Sequence, residues 1–170
     1  MEAKILNKLK KIKVVITDVD GVLTDGGLYY SDDGLIIKKF NVKDGMGIRL
    51  LREAGIESGI ISTDTSKIMV VRAEKLKMDF SYTGIWGKEE KLKEICQERN
   101  IKPENAAFIG DDINDLGIIK EAGFSACPAD SVEDVINSVD LVLKKKGGEG
   151  VFREFAELIL KAQRENKEIK

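Results

Sequence analysis

The sequence predicts an α/β fold in which helices cover both faces of a doubly wound parallel sheet. Short apolar runs alternate with longer amphipathic segments along the 170 residues, which is the pattern of strands joined by crossover helices. The length suits one domain with a substantial core. No Gly/Ser/Pro-rich linker marks a boundary, so we expect a single domain over residues 1–170.

Six short apolar runs, mostly bounded by polar residues or glycine, predict the strands of this sheet. They cover residues 13–17, 58–62, 79–82, 106–109, 125–127 and 141–143. Helical periodicity predicts helices near residues 45–54, 66–76, 88–99, 112–122, 132–137 and 149–164. The first 13 residues are a Lys-rich amphipathic segment without the apolar core of a signal peptide.

Two segments interrupt the alternation. Leu-Tyr-Tyr at 28–30 and Leu-Ile-Ile-Lys-Lys-Phe at 35–40 flank Ser-Asp-Asp-Gly at 31–34, and an Asp-Gly pair in that setting predicts a β-hairpin. This flap, about residues 27–41, follows the first strand, where α/β sheets bind ligands, so it should overhang the site. Residues 144–150, Lys-Lys-Lys-Gly-Gly-Glu-Gly, are expected to form a flexible basic turn.

Composition excludes several classes of function. The net charge of −2 comes from 28 basic and 30 acidic residues that are well mixed, and only 6% of residues are aromatic, so nucleic acid is not an expected partner. No apolar stretch approaches the length of a membrane span, and we expect a cytoplasmic protein with no membrane partner. Without histidine, proton transfer falls to carboxylates. Cys96 and Cys127 are interpreted as incidental thiols.

Two acidic clusters follow predicted strands. Asp18 and Asp20 end the run 12–17, and Gly-Asp-Asp-Ile-Asn-Asp at 110–115 follows the run 106–109. Residues two apart share a face of a strand, so Asp18 and Asp20 can converge on one ligand. Carboxylates at one sheet edge repel each other unless a cation neutralises them, and their oxygen atoms suit Mg²⁺. Asp-x-Asp-Gly alone is also a turn sequence, but the second cluster favours a metal and a phosphate.

Four motifs in one order resemble those of the haloacid dehalogenase superfamily of phosphotransferases. They are Asp-Val-Asp-Gly at 18–21, Ser62 ending the second strand, Lys88 opening a helix, and Gly-Asp-Asp at 110–112. The resemblance implies a haloacid-dehalogenase-like fold in which Asp18 is the nucleophile and Asp20 the general acid and base. Asp18 would form an aspartyl-phosphate, which divides hydrolysis into two displacements.

The same resemblance implies a metal site. Mg²⁺ would be held by Asp18, by the backbone carbonyl of Asp20 and by Asp111, with Asp112 or Asp115 in support. The cation would screen the repulsion between the nucleophile and the phosphate.

The resemblance also assigns the phosphate contacts. Ser62 would hold a phosphoryl oxygen by a hydrogen bond and Lys88 by its charge. Lys91 competes for the lysine role, and Lys88 is preferred because its distance to Gly110 fits the superfamily better.

The layout of the whole chain indicates which family within the superfamily it resembles. The superfamily usually adds a cap domain, but this chain has room only for the hairpin. With Phe-Asn-Val-Lys-Asp-Gly-Met-Gly-Ile at 40–48 and Gly-Gly-Glu-Gly-Val-Phe-Arg-Glu at 147–154, it is similar to the 3-deoxy-manno-octulosonate 8-phosphate phosphatases. The resemblance implies a small-molecule substrate, a phosphorylated 2-keto-3-deoxy sugar acid that contacts Asp44 and Gly45. It also implies a homotetramer with a hairpin barrel and sites closed by a neighbour's C-terminal segment.

One motif departs from that family. The octulosonate enzymes usually carry Ser-Gly-Arg or Thr-Gly-Arg where this chain reads Ser62-Thr63-Asp64. An acidic residue there is similar to the nonulosonate 9-phosphate phosphatases, the alternative function, in which Asp64 would face the sugar. Asp64 could equally cap the helix that begins near Ser66.

Two further interpretations would make the protein a non-enzyme. A receiver-like phosphoacceptor module also has acidic strand ends, but its phosphorylated aspartate stands alone on a middle strand, whereas Asp18 lies on the first strand with Asp20 nearby. A catalytically idle relative could regulate a sugar-nucleotide enzyme as an oligomer. The intact Asp18 and Asp20 argue against that role.

Overall fold

The computed structural model describes residues 3–167, and a six-stranded sheet lies at the centre of this part of the chain. The strands are β1 (Val14–Thr17), β2 (Tyr29–Ser31), β3 (Gly34–Ile37), β4 (Glu57–Ile61), β5 (Phe80–Tyr82), β6 (Ala106–Ile109), β7 (Phe124–Cys127) and β8 (Leu141–Val142). The helices are α1 (Ala3–Leu9), α2 (Val42–Glu53), α3 (Lys67–Leu76), α4 (Lys88–Glu98), α5 (Leu116–Glu121), α6 (Glu133–Ile136) and α7 (Val151–Lys167). Short 3₁₀ turns occupy Pro103–Asn105 and Ile113–Asp115.

The sheet is parallel, with the strand order β5-β4-β1-β6-β7-β8. Strand β1 lies between β4 and β6, and its Val14 pairs with Glu57 on one side and Ala106 on the other. The chain therefore extends the sheet on both sides of β1, and the carboxyl ends of these three strands meet at one edge, where such sheets bind ligands. The predicted doubly wound α/β fold is confirmed.

Apolar side chains pack on both faces of the sheet. Along β1, Val15 packs with helices α1, α2, α3 and α7, whereas Val14 and Ile16 pack with α4, α5 and α6, as the two-residue alternation of a strand requires. In the first layer Phe124 and Phe155 stack with ring centroids 6.0 Å apart. The core holds the central strands rigidly, and with them the loops at their carboxyl ends. Among residues 3–167, no helix combines the length and apolarity needed to cross a bilayer.

The predicted hairpin is present between β1 and α2. Strands β2 and β3 pair antiparallel, with Ser31 opposite Gly34 across the turn, and an isolated bridge between Thr24 and Phe40 closes the base. Gly34 has a φ of +118°, which residues with a side chain rarely adopt. Tyr30 on β2 is 65% exposed, so one face of the flap presents aromatic surface to solvent in the single chain.

Two helices begin two or three residues away from the predicted start. Helix α2 begins at Val42 rather than 45, because the Asn41 side chain accepts a hydrogen bond from the Lys43 N–H and caps it. Periodicity missed this first turn because Gly45 and Gly47 are weak helix formers. Helix α7 begins at Val151 rather than 149, because Gly150 has a φ of +87°.

The predicted helix over 112–122 is split. The Asp112 carboxylate accepts a hydrogen bond from the Ile113 N–H and starts a 3₁₀ turn, while α5 begins only at Leu116. The split keeps the Asp115 side chain next to Asp111, whose N–H donates to Asp115 Oδ2 at 3.0 Å. A 3₁₀ turn therefore replaces the first turn of the predicted helix, and this turn places Asp115 beside Asp111.

Candidate active site

A cavity of about 490 Å³ opens at the carboxyl edge of β1, β4 and β6. Its walls include Asp18, Asp20, Ser62, Trp86, Asp111 and Asn114. Residues far apart in the sequence meet here because the three strands are neighbours and run parallel. The cavity therefore coincides with the edge at which the motifs were expected to converge.

Asp18 is held rigidly at the end of β1. Its backbone N–H donates to Ile109 O on β6 at 2.9 Å, and its Oδ1 accepts from the Val19 N–H at 2.7 Å. Burial and the neighbouring Asp115 together raise the pKa of Asp18 to about 6, although Lys88 opposes the rise. The carboxylate is thus fixed in position, and its charge is costly without a cation.

Lys88 supplies one such cation. Its side chain is fully buried, and its Nζ lies 2.8 Å from Asp18 Oδ2 and 2.6 Å from Asp115 Oδ1. Burial acts to lower the pKa of Lys88, but the two carboxylates outweigh it and the pKa is raised. Lys91 instead pairs with Glu94 and lies over the Tyr82 ring. The structure therefore brings Lys88, and not Lys91, to the carboxylates.

Asp18 belongs to a cluster of three carboxylates, which also includes Asp111 and Asp115. Oxygen atoms of Asp18, Asp111 and Asp115 all lie within 4.8 Å of one another. Asp111 Oδ1 is buried and accepts no hydrogen bond. Burial, together with the charges of Asp18, Asp115 and Asp112, raises the pKa of Asp111 to about 8. An orphaned oxygen among hard ligands fits a divalent cation such as Mg²⁺.

The two candidates for a supporting role at the metal differ in position. Asp115 is fully buried within the cluster, whereas Asp112 is exposed and its carboxylate caps the following turn. The side chain of Asp20 is not part of the cluster, and the expected metal contact of this residue was through its backbone carbonyl. Asp115 is thus the acidic neighbour that the structure favours.

The loop after β1 is packed closely against this cluster. Gly21 has a φ of +76°, and a Cβ built there would lie 1.9 Å from Asp111 Oδ2, so only glycine permits the approach. The segment 144–150, expected to be a flexible basic turn, packs on the other side: Gly148 N–H donates to Val22 O at 2.9 Å. Both Gly147 and Gly148 are buried. The expected flexible turn was wrong, because these glycines pack closely against the loop after β1.

Asp20 is held by a residue that sequence reasoning missed. Lys38, which follows β3, has a fully buried side chain whose Nζ lies 2.6 Å from Asp20 Oδ2 and also contacts Asp64 Oδ2. Burial acts to lower the pKa of Lys38, but these two carboxylates raise it above its ordinary value. The sequence offered no signal for this contact, because it joins residues from three separate loops.

Asp64 and Ser62 lie at the end of β4. Asp64 Oδ1 accepts from the Ser66 N–H at 2.7 Å, so the capping alternative describes one of its oxygens, although Ser66 itself is the N-cap of α3. Burial acts to raise the pKa of Asp64, but the bonds from Lys38 and Ser66 lower it. Ser62 is buried and lines the cavity. Ser62 Oγ accepts from the Asp64 N–H at 3.2 Å.

Two residues expected to contact substrate lie elsewhere in this chain. Asp44 Oδ1 accepts from the Arg153 N–H at the start of α7 at 3.0 Å, and Gly45 packs so tightly that a Cβ would lie 2.8 Å from Leu76 Cδ2. Neither lines the cavity. Both are in the first turn of α2 and pack against α7 and α3 in the single chain, so their contact with substrate stays a prediction.

Two apolar side chains at the cavity were not expected. Trp86, in the loop before α4, is 75% exposed, and Ile113 is 61% exposed; both line the cavity. Trp86 belongs to no motif, and Ile113 lies within the acidic cluster at 110–115 but was given no role there, because an exposed apolar position carries no periodic signal.

Comparison with known proteins identifies the family to which the chain belongs. A model of haloacid dehalogenase-like hydrolases matches residues 54–155. The chain is 42% identical over 156 residues to 3-deoxy-D-manno-octulosonate 8-phosphate phosphatase of Haemophilus influenzae, which covers 92% of this chain and 87% of that protein. The chain belongs to the octulosonate 8-phosphate phosphatase family.

Solved structures of this octulosonate phosphatase family share the fold. The cobalt-bound form of the Haemophilus influenzae phosphatase has a TM-score of 0.90 at 42% identity and covers 92% of each chain. The Moraxella catarrhalis phosphatase, solved with magnesium, phosphate and a KDO molecule, has a TM-score of 0.93 at 35% identity and covers 99% of this chain and 97% of that one. The haloacid dehalogenase resemblance is thus confirmed, and membership of this family makes the chain a phosphatase rather than a receiver-like module.

Proposed function

We propose that the protein hydrolyses 3-deoxy-manno-octulosonate 8-phosphate, with Mg²⁺ as cofactor, through an aspartyl-phosphate at Asp18. The observation that carries this proposal is the 42% identity over nearly the whole chain to an enzyme of that name. The juxtaposition of Asp18, Lys88 and Asp111 at one cavity supports it. Residues 1–170 would act as one phosphatase domain. The free, buried thiols of Cys96 and Cys127 suit the cytoplasm that we propose as its location.

The side chains divide the reaction between them. Asp18 attacks phosphorus, and the bond from phosphorus to the sugar oxygen breaks while Asp20 gives that oxygen a proton. Asp20 then takes a proton from the water that hydrolyses the aspartyl-phosphate. Lys88 and Ser62 hold phosphoryl oxygens, so that charge and position are in place before the reaction begins.

The metal fits the cluster described above. Asp18, Asp111 and the backbone carbonyl of Asp20 would hold Mg²⁺, and the buried Asp115 would support them. When bound, Mg²⁺ neutralises the repulsion between the Asp18 carboxylate and the incoming phosphate.

A phosphate-release panel tests the proposal. It contains octulosonate 8-phosphate, nonulosonate 9-phosphates and hexose phosphates, each with Mg²⁺ and with a chelator. We expect the octulosonate ester to have the highest kcat/KM and Asp18→Asn to lower kcat on the order of 10³-fold or more while the fold persists. A nonulosonate 9-phosphate preferred over the octulosonate would overturn the substrate, and full activity of Asp18→Asn would overturn the nucleophile.

We also propose that the active form is a homotetramer with shared sites. The support is the exposed aromatic side chains of the hairpin, because Tyr29 and Tyr30 are 58% and 65% exposed and large exposed apolar surface marks interaction sites. A capless cavity also needs another wall to exclude water. A neighbouring subunit would cover both.

A further inference from the structure

Lys38 is a buried ammonium group with no assigned role. Its side chain is 0% exposed, while its two carboxylate partners, Asp20 and Asp64, keep 35% and 27% of their side chains exposed. Burying an ammonium group is costly unless ion pairs and hydrogen bonds replace its water. Lys38 does not line the cavity itself, but its partner Asp20 does, so the ion pair acts on a residue of the cavity wall.

The geometry shows what Lys38 connects. It follows β3 of the hairpin, Asp20 follows β1, and Asp64 follows β4, so one ammonium joins three loops at the cavity. Lys38 Nζ contacts Asp20 Oδ2 at 2.6 Å. The other oxygen, Asp20 Oδ1, has a Thr24 Oγ1 neighbour only at 3.4 Å. One oxygen of Asp20 is therefore anchored, and the other stays available for proton exchange.

We propose that Lys38 is the positioning residue of Asp20, and that Asp64 holds Lys38 in place for this task. The inference rests on the proposed function, because it assigns Asp20 the acid and base role. In this chain Asp64 is the second carboxylate that pairs with the Lys38 ammonium, and its negative charge helps to keep that ammonium beside Asp20.

Lys38 does not itself supply the proton. When Asp18 bonds to phosphorus and the ester bond breaks, the sugar oxygen takes the proton from Asp20, which becomes a carboxylate. Lys38 keeps its own proton and fixes the orientation of Asp20. Its removal should therefore affect the reaction only where the leaving oxygen needs a proton.

The leaving group of the substrate provides the test. For wild type and Lys38→Met we would measure kcat/KM, which reports the steps through formation of the aspartyl-phosphate, with octulosonate 8-phosphate and with p-nitrophenyl phosphate. The sugar oxygen is a strong base that must be protonated, whereas p-nitrophenolate leaves without a proton. We expect a loss of about 10- to 100-fold for the sugar ester and less than about 3-fold for the aryl ester. Equal losses for both esters, or none, would overturn the proposal.

Two further variants serve as controls. Lys39→Met removes the neighbouring lysine, which is 63% exposed and pairs with Asp25 at 2.5 Å on the surface, and should leave both values unchanged. Lys38→Gln keeps an N–H donor for Asp20 and should recover part of the sugar-ester rate. If Lys38→Met does not fold, Lys38→Gln carries the test, and an equal loss for both esters in that variant would overturn the proposal.

The failure of the proposed function is distinguishable from the failure of this inference. A wild-type enzyme that does not release phosphate from the octulosonate ester disproves the substrate. The Lys38 comparison then uses whichever sugar phosphate the panel identifies.

Discussion

Asp44 is a buried carboxyl group that joins the start of α2 to the start of α7. One oxygen accepts the Arg153 N–H, and the other, Oδ2, is buried without a hydrogen bond. Burial raises its pKa from 3.8 to about 6, although Arg153, Lys145 and Arg72 oppose the rise. An acid whose pKa is higher in the folded chain binds more protons there than in the unfolded chain. Its contribution to the free energy of unfolding is therefore largest below pH 3.8 and falls as the pH rises to about 6.

Asp44→Asn should remove this pH dependence. Above pH 6 Asp44 is charged, and the buried charge lowers the free energy of unfolding of wild type. We therefore expect the variant to have a free energy of unfolding about 1–2 kcal/mol above wild type at neutral pH and near wild type in acid. Urea unfolding across the range from acid to neutral pH measures it. Asp25→Asn, on the exposed Asp25–Lys39 pair, is the surface control. An unchanged difference between variant and wild type across the range would show that Asp44 does not titrate there.

The motif residues of the site could be predicted from the sequence, and others could not. Asp18, Lys88 and Asp111 were expected together because motif order and strand ends carry that information. Lys38 was missed because a lysine in a hairpin is ordinarily solvated, and its burial depends on Asp20 and Asp64 from other loops. The roles assigned to the motif residues stay predictions until the variants are assayed.

The loop before α4 carries a natural reporter of cavity occupancy. Trp86 is the only tryptophan of the chain and lies at the cavity wall. We expect inorganic phosphate with Mg²⁺ to change its emission in a saturable titration, because a bound anion alters the surroundings of the ring. Lys88→Gln, which lacks the ammonium, should move the midpoint to higher phosphate. Unchanged emission at phosphate concentrations that inhibit turnover would contradict the assignment of this cavity.

The segment before α7 supports the β1 loop through a close contact. A Cβ at Gly147 would lie 2.0 Å from Gly21 O, and backbone cannot yield as a flexible side chain does. Gly147→Ala should lower the free energy of unfolding by about 1–3 kcal/mol and lower activity by displacing the loop that holds Asp20. Gly87→Ala, where a Cβ meets nothing within 4 Å, is the control for denaturant unfolding. Equal stability of the two variants would show that the close approach of Gly147 to Gly21 does not contribute to the stability of the fold.

Element types were predictable along most of the chain, and some boundaries were not. Strand β6 was predicted at its observed bounds, because Ala106–Ile109 is an apolar run bounded by Asn105 and Gly110. The split of the 112–122 helix was not predictable, since it depends on the tertiary contact of Asp115 with Lys88. Tertiary contacts override local propensity at such positions.

On the scale of the whole molecule, a divalent cation should stabilise the fold. Three carboxylates within 4.8 Å repel each other, so Mg²⁺ that binds only the folded chain should raise the free energy of unfolding by about 2.7 kcal/mol at 100 times its Kd. Thermal melts with Mg²⁺ and with a chelator measure the shift. Asp111→Asn should reduce it strongly. A melt that is insensitive to both Mg²⁺ and chelator would argue against a metal at this cluster.

The assembly is testable by light scattering and assay together. Wild type should be a multimer, and the double substitution Tyr29→Glu, Tyr30→Glu should dissociate it and lower turnover, because charge on the hairpin opposes burial of that face. Val71→Glu, at an exposed position of α3, is the matched control. A monomer with undiminished turnover would contradict the shared-site proposal.

The central place of β1 has a consequence for synthesis on the ribosome. Val14–Thr17 is made early but is flanked by β4 and by β6, and β6 begins only at Ala106. A nascent chain therefore holds an apolar strand with an open edge until translation has passed that residue, a state that invites aggregation or chaperone binding. Fragments that end before β6 should be insoluble, and slowing translation upstream of it should lower the yield of native enzyme.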